Sequence, residues 1–291
     1  MLKRLTIGSI AALSLLLGST SPAAASVTIG GLAPGSPPAS NCSNVRDDWV
    51  QPAVVTGNPY EIPSTGAITS WSTNASPTVG QVWTMKIFRH ISGSTYRVLA
   101  HDGPRTLTAG TLNTFATNIP VKAGDLLGMN DADTTTPVNT TCAYVSTGDT
   151  IYFNGGSLAD NQEGPIATAI ANRRLNIQAV FEPANNFTVV TVTRDRKAGT
   201  ATITVDVPNA GELVASGPGV IAASAQAVTS KAVPLGQSQL VVGATGRKKR
   251  KLRRKGRAKI NVAVTYTPTD GAARTQHVKL KLRRKPIKPR R

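Results

Sequence analysis

The sequence predicts an all-β protein made of two antiparallel β-sandwich domains, the first jelly-roll-like and the second immunoglobulin-like. Two observations carry this expectation. Thr, Val, Ile and Ala dominate short segments of alternating polarity separated by turn residues, and no stretch sustains a 3.6-residue period. The 291 residues also exceed a single sandwich of about 100 residues, and Glu182-Pro183-Ala184-Asn185-Asn186 reads as a joint between two bodies.

Residues 1–25 read as a secretory signal. Lys3-Arg4 precedes an apolar run over 5–17, and Ala23-Ala24-Ala25 supplies an A-x-A cleavage site. The run is too short for a membrane span of about 20 residues, so cleavage after Ala25 is expected, leaving a secreted chain with no transmembrane segment. Residues 26–40 carry Gly30, Gly31, Pro34, Gly35, Pro37 and Pro38 and read as a flexible leader.

The first sandwich is expected over 41–183. Trp83, Met85 and Ile87 alternate with Thr84, Lys86 and Phe88, and further strands are predicted at 68–71, 96–100, 124–129, 150–153 and 175–181. After a linker at 184–186, the second sandwich is expected over 187–285. Ala201, Ile203, Val205 and Val207 alternate with Thr200, Thr202, Thr204 and Asp206; Ile260, Val262, Val264 and Tyr266 alternate with Lys259, Asn261, Ala263 and Thr265; Val278, Leu280 and Leu282 alternate with His277, Lys279, Lys281 and Arg283. These are half-buried antiparallel strands with one wet face. Residues 286–291 are Lys, Arg, Pro and one Ile, a composition that predicts a basic disordered tail.

Export bears on the two cysteines, Cys42 and Cys142. A lone pair outside the cell is expected to form a disulfide. Closing a loop of about 100 residues contributes roughly 4–5 kcal/mol in the chain-entropy model. No C-x-x-C spacing points to redox catalysis.

A resemblance enters on particular segments. Gly199-Thr200-Ala201-Thr202-Ile203-Thr204-Val205-Asp206-Val207-Pro208, Gly211-Glu212-Leu213, Ser216-Gly217, the Lys/Arg-rich turn with Leu252 and Gly256, and Val264-Thr265-Tyr266-Thr267-Pro268 resemble the immunoglobulin-like C-terminal module of secreted actinobacterial surface proteins. Ser70-Trp71 and Val121-Lys122-Ala123-Gly124-Asp125 resemble the β-sandwich that often precedes it. The resemblance implies fold and export and transfers no catalytic residue.

Charge is segregated. The first 246 residues hold 14 basic and 14 acidic residues; 247–291 hold 19 basic residues against Asp270 alone, which accounts for the whole formal charge of +18. Arg247, Lys248, Lys249, Arg250, Lys251, Arg253, Arg254, Lys255, Arg257 and Lys259 form a basic loop over 247–259. Thr269-Asp270-Gly271 is a hairpin signal. Symmetric pairing about it places Lys259 near Lys281 and Lys255 near Lys285. Lys279, Lys281, Arg283, Arg284 and Lys285 then join the loop as one cationic pole. The partner expected of such a pole is an anionic cell-envelope polymer or acidic glycan, with non-specific nucleic acid a further possibility through phosphate contacts. Base stacking is not expected, because Tyr266, the region's aromatic, points to the core. The competing reading is that lysines on the last strands only block edge-to-edge association.

Signals for chemistry are sparse. His90, His101 and His277 stand in no H-E-x-x-H, G-x-S-x-G or Walker motif. Asp102, Asp149, Asp160 and Glu163 are available for paired-carboxylate hydrolysis, without informative spacing. Asp131 and Asp133 form a weak calcium candidate in a segment that reads first as a plain turn. Trp83 falls in a core alternation, whereas Trp71 and Tyr60 are the candidates for a sugar-stacking surface. No cofactor is implied. The reading that results is a secreted, non-enzymatic surface-binding protein, with a carbohydrate-binding first domain as the alternative and a secreted hydrolase as the more remote one.

Overall fold

The computed structural model describes residues 26–35, 46–132, 141–222 and 230–285. The signal at 1–25, the leader beyond residue 35, Cys42, Asp133 and the tail at 286–291 lie outside them. Among the described residues the fold is all-β apart from one short helix.

The first body contains β1 (Val27–Gly31), β2 (Asp48–Val50), β3 (Gly66–Asn74), β4 (Val82–Ser92), β5 (Thr95–Thr106), β6 (Leu112–Val121), β7 (Asp125–Asp131), β8 (Ala143–Phe153), β9 (Glu163–Pro165), β10 (Thr168–Leu175) and β11 (Ile177–Pro183). Two antiparallel sheets form, ordered β1-β11-β3-β6 and β10-β8-β2-β7-β4-β5-β9. Ile29, Ile68, Trp71, Trp83, Met85, Ile87, Leu127 and Phe181 belong to the core they enclose.

Three features depart from the sequence expectation. The start of the leader is a strand: β1 pairs with β11 from Val27↔Phe181 to Gly31↔Ile177. Burial of Ile29 and Ala33, each 1% exposed, outweighs the entropy lost by the glycines. The alternation at 175–181 is split, with Leu175 closing β10 in one sheet and Ile177 opening β11 in the other. Asn176 makes the corner. Its Oδ1 accepts from the Ala33 and Asn74 amides, its Nδ2 donates to the carbonyls of Asn74 and Thr141, and its own amide donates to Cys142 O.

The third departure is β4, which is buried on both faces. A second cluster, with Val50, Phe88, Val98, Leu126, Leu158 and Ile166, covers the side expected to be wet. Lys86 is therefore sealed inside. Its Nζ donates to Asp48 Oδ1 (2.7 Å), Ser157 Oγ (2.9 Å) and Leu158 O (2.7 Å). Asp48 also accepts from Asn130 Nδ2 and the Leu158 amide. All three ammonium donors are thus spent, as a buried cation requires. Burial pushes the Asp48 carboxyl up against the opposing pull of Lys86.

Asp47 beside it has no such compensation: its Oδ2 is buried without a hydrogen-bond partner. Burial, then the Asp48 charge, push its pKa up to about 6.

The second body contains β12 (Thr188–Asp195), β13 (Thr200–Val207), β14 (Gly211–Ser216), β15 (Val220–Ala222), β16 (Ser230–Val233), β17 (Gly236–Ala244), α1 (Gly246–Lys255), β18 (Arg257–Pro268) and β19 (Arg274–Arg283). Its antiparallel sheets are β12-β13-β17-β15 and β16-β14-β18-β19. Ala201, Ile203, Val205, Val262, Val264, Tyr266 and Leu282 are fully buried between them, on the faces that the alternation assigns.

The joint between the bodies is hydrogen-bonded. The Ala184 amide donates to Thr65 O (2.9 Å). Asn209 Oδ1 accepts from the Thr65 amide, and its Nδ2 donates to the carbonyls of Thr65 and Ala184. The Tyr266 hydroxyl in turn donates to Asn209 O (2.8 Å), so the joint is anchored in the second core.

Two outcomes follow from these contacts. A protease without basic preference should cut the wild type slowly at 183–187, and Asn209→Ala should accelerate that cut while both bodies stay folded. The lost bonds amount to about 1–3 kcal/mol. Equal cleavage rates would show that Asn209 does not hold the joint. For Asp47, a folded-state pKa near 6 against an ordinary 3.8 means that the native state binds the proton more tightly. Stability attributable to this group therefore falls as pH rises between these values. The melting temperature of Asp47→Asn relative to wild type should rise over that window and level off above it; a difference independent of pH would contradict the assignment.

Candidate functional site

The cationic segment at 247–259 is not a loop. Residues 246–255 form α1, and Arg257 begins β18. Thr245 is its N-cap without a side-chain hydrogen bond, while Gly256 closes it in the left-handed conformation (φ 65°). Leu252, 4% exposed, is its one buried residue, and the helix packs on β17 and β18. A single apolar residue makes no stripe for a periodicity search; the flanking Gly246 and Gly256 were the only sequence marks. Arg253, Arg254 and Lys255 occupy the last turn, where the helix dipole favours cations. Against that, Arg247–Lys251, Lys249–Arg253, Arg250–Arg254 and Lys251–Lys255 are like-charge pairs at i,i+4, each destabilising by about 0.2–0.5 kcal/mol.

β18 and β19 form the expected hairpin. Gly271 N donates to Pro268 O at the turn. The register sets Arg257 opposite Arg283, Lys259 opposite Lys281, Asn261 opposite Lys279 and Ala263 opposite His277. Leu280 and Leu282 are buried, and Lys279, Lys281 and Arg283 are exposed. One sheet face therefore carries stacked cationic rungs, successive outward residues along a strand being about 6.8 Å apart. Lys255, expected near Lys285, closes α1 and stands outside the ladder. The Arg284 amide donates to Gly256 O (2.9 Å), which still joins the end of β19 to the end of α1.

Three cations that sequence reasoning missed join this end. Arg194 Nε donates to Lys281 O (3.2 Å), Arg196 O accepts from the Lys285 amide (3.0 Å), and exposed Lys197 lies in the same β12–β13 turn. Eighty-odd residues separate them from the tail, so only the closure of the sandwich brings them together. Asp195 in that turn is spent locally: the Ala198 and Lys197 amides hydrogen-bond its carboxylate and hold it below the usual range.

Among the described residues every ion pair lies in the first body. Asp270 sits at the opposite end of the hairpin, roughly 35 Å of strand from Arg257. Among the described residues, therefore, the pole has no counter-charge in ion-pair contact. A groove of about 460 Å³ runs beside it, lined by Lys248, Lys259, Ile260, Asn261, Lys279, Leu280 and Lys281.

The other candidates are placed differently. Trp71 and Tyr60, expected at the surface, are 0% and 1% exposed. A bulge at Thr69 shifts the register of β3 against β11, from Ser70↔Val180 to Ile68↔Phe181, putting Ile68 and Trp71 on one inward face. Trp71 Nε1 donates to Asp102 Oδ2 (2.6 Å) and its ring meets Phe115. The Tyr60 hydroxyl donates to Leu175 O, and burial raises its pKa well above the ordinary value. Neither offers a face to a sugar.

Asp131 closes β7 and is buried. Among the described residues no group of three His, Cys, Asp or Glu side chains could hold a metal. The four acids considered for hydrolysis have separate partners: Asp102 pairs with Arg105, Asp149 with Arg174, Asp160 with His101 and Glu163 with Arg97. No described helix is long and apolar enough to cross a membrane.

No protein-family model and no curated protein matches the chain. Among solved structures, a β-D-glucuronidase of Dictyoglomus thermophilum aligns at 10% identity and a TM-score of 0.20, over 81% of this chain and 42% of that one. A TM-score this low bears on neither fold nor activity. The chain spans less than half the length of that enzyme.

Proposed function

We propose that this is a secreted, non-enzymatic binding protein that associates with an anionic envelope polymer through its basic end. The observation that carries the reading is the convergence of α1, the β18–β19 ladder and the β12–β13 turn at one exposed cationic end, without a paired acid among the described residues. Such a face attracts polyanions by screened Coulomb forces and by release of their counterions. The segment at 1–25 supports export, and the architecture agrees with the resemblance to secreted actinobacterial surface proteins. The sugar-binding alternative loses its two residues to the core.

The test is affinity for soluble polyanions as a function of salt. The logarithm of the association constant should fall linearly with the logarithm of salt concentration, by about 0.7–0.9 per phosphate neutralised. Binding that persists unchanged at high salt, or none at low salt, would contradict the proposal. Export also implies that Cys142, 1% exposed, is oxidised with Cys42. Intact mass after alkylation without reductant should show no labelled thiol; two labels would overturn the pairing.

A further inference from the structure

The cationic end contains a concave track as well as an outer surface, and the track is built from one cation type. Lys248 projects from the first turn of α1, while Lys259, Lys279 and Lys281 stand on the hairpin with Asn261 between them. The arginines of the segment are not among its lining residues. Two backbone details shape the track. Gly219 has φ 78°, and a Cβ there would lie 2.6 Å from Lys248 Cγ, so glycine opens the space that the lysine stem fills. Gly217 lies so close to Asn261 O that a Cβ would be 2.4 Å away, which covers β18 beyond the last β14 pair, Ser216↔Ala263.

Strand order separates binding from edge protection. Lysines on β19, an outer strand, would be accounted for by blocking edge pairing. Lys259 lies on β18, which stands between β14 and β19 in the sheet order and is not an outer strand. Instead it faces Lys281 directly across the ladder, an arrangement that destabilises the unliganded sheet.

Resting on the polyanion reading above, we propose that this track takes a linear chain of phosphate groups. Lysine is a compact charge with three rotatable donors and meets a tetrahedral phosphate from any direction, whereas the planar fork of arginine pairs bidentately with carboxylate and phosphate alike. A groove between a helix and a sheet face admits one chain, whereas a bilayer would press on the outward arginines. No aromatic lines the track, so the phosphates and not attached bases are what it reads.

The probe is linear inorganic polyphosphate, titrated into the purified protein and into two double variants that remove the same charge. Lys259→Gln with Lys281→Gln removes two of the four lysines that line the track. Arg250→Gln with Arg254→Gln strips the side of α1 turned away from Leu252, at 3.6 residues per turn. The first pair should weaken binding at least about tenfold and reduce the salt slope by about one to two; it should also raise the unliganded melting temperature by relieving the opposed charges. The second should weaken binding less than about threefold. Equal losses from the two pairs would overturn the track while leaving general polyanion binding intact. Heparin at matched charge binding more tightly than polyphosphate would replace phosphate by a sulfated or carboxylated glycan and refute the proposal. Phosphatidylglycerol vesicles that bind and are not displaced by polyphosphate would place the contact on the outer face and refute it too. A thymidine homopolymer binding about as tightly as polyphosphate of equal charge supports it; binding more than about tenfold tighter contradicts it. No binding to any of these at low salt would instead remove the parent reading.

Discussion

Register in the β18–β19 hairpin is the constraint on which both ends of the second body depend. Ten residue pairs run from Tyr266↔Arg274, near the joint, to Arg257↔Arg283, at the cationic end. Side chains alternate along a strand, so a slip of one residue would turn Lys259 and Lys281 into the core and expose Ile260 and Leu280. The burial of Ile260, Val262, Val264, Tyr266, Leu280 and Leu282 therefore fixes where the positive charge points. At the other end the same register brings the Tyr266 hydroxyl to Asn209, whose side chain ties Thr65 to Ala184. One ladder thus links the interdomain joint to a charged face at the far end of the molecule.

Electrostatics makes that face costly to maintain. Opposed lysines and arginines on the ladder, and repeated like charges along α1, oppose the packing that holds them. Compensation within the fold is modest: Leu252 anchors the helix, Gly256 caps it, and the dipole favours the cations of its last turn. The first body treats charge differently. Lys86 is sealed with Asp48, and Arg174 with Asp149, each completed by hydrogen bonds. Contrast between internal neutralisation in one body and none at the pole of the other is what a surface built for an external anion would display.

Much of the fold was legible because it rests on local alternation. The inward faces of β13, β18 and β19, the Asp270–Gly271 turn and the Lys259↔Lys281 rung all follow from period two and a turn signal. What was not legible depends on partners distant in sequence. The Thr69 bulge buries Trp71, the cover over β4 buries Lys86, and Asn176 breaks an unbroken alternation into two sheets. Helix α1 escaped notice because nine of its ten residues make no apolar stripe. Arg194, Arg196 and Lys197 carry no local signal, and only the closed sandwich brings them to the pole.

The most direct measurement is a residue-resolved map of amide chemical shifts as polyphosphate is titrated into the protein. Residues of 247–259 and 279–285 should shift together, with one dissociation constant, while the first body stays unchanged. Two distinct dissociation constants for these segments, or shifts spread across both bodies, would contradict a single cationic site.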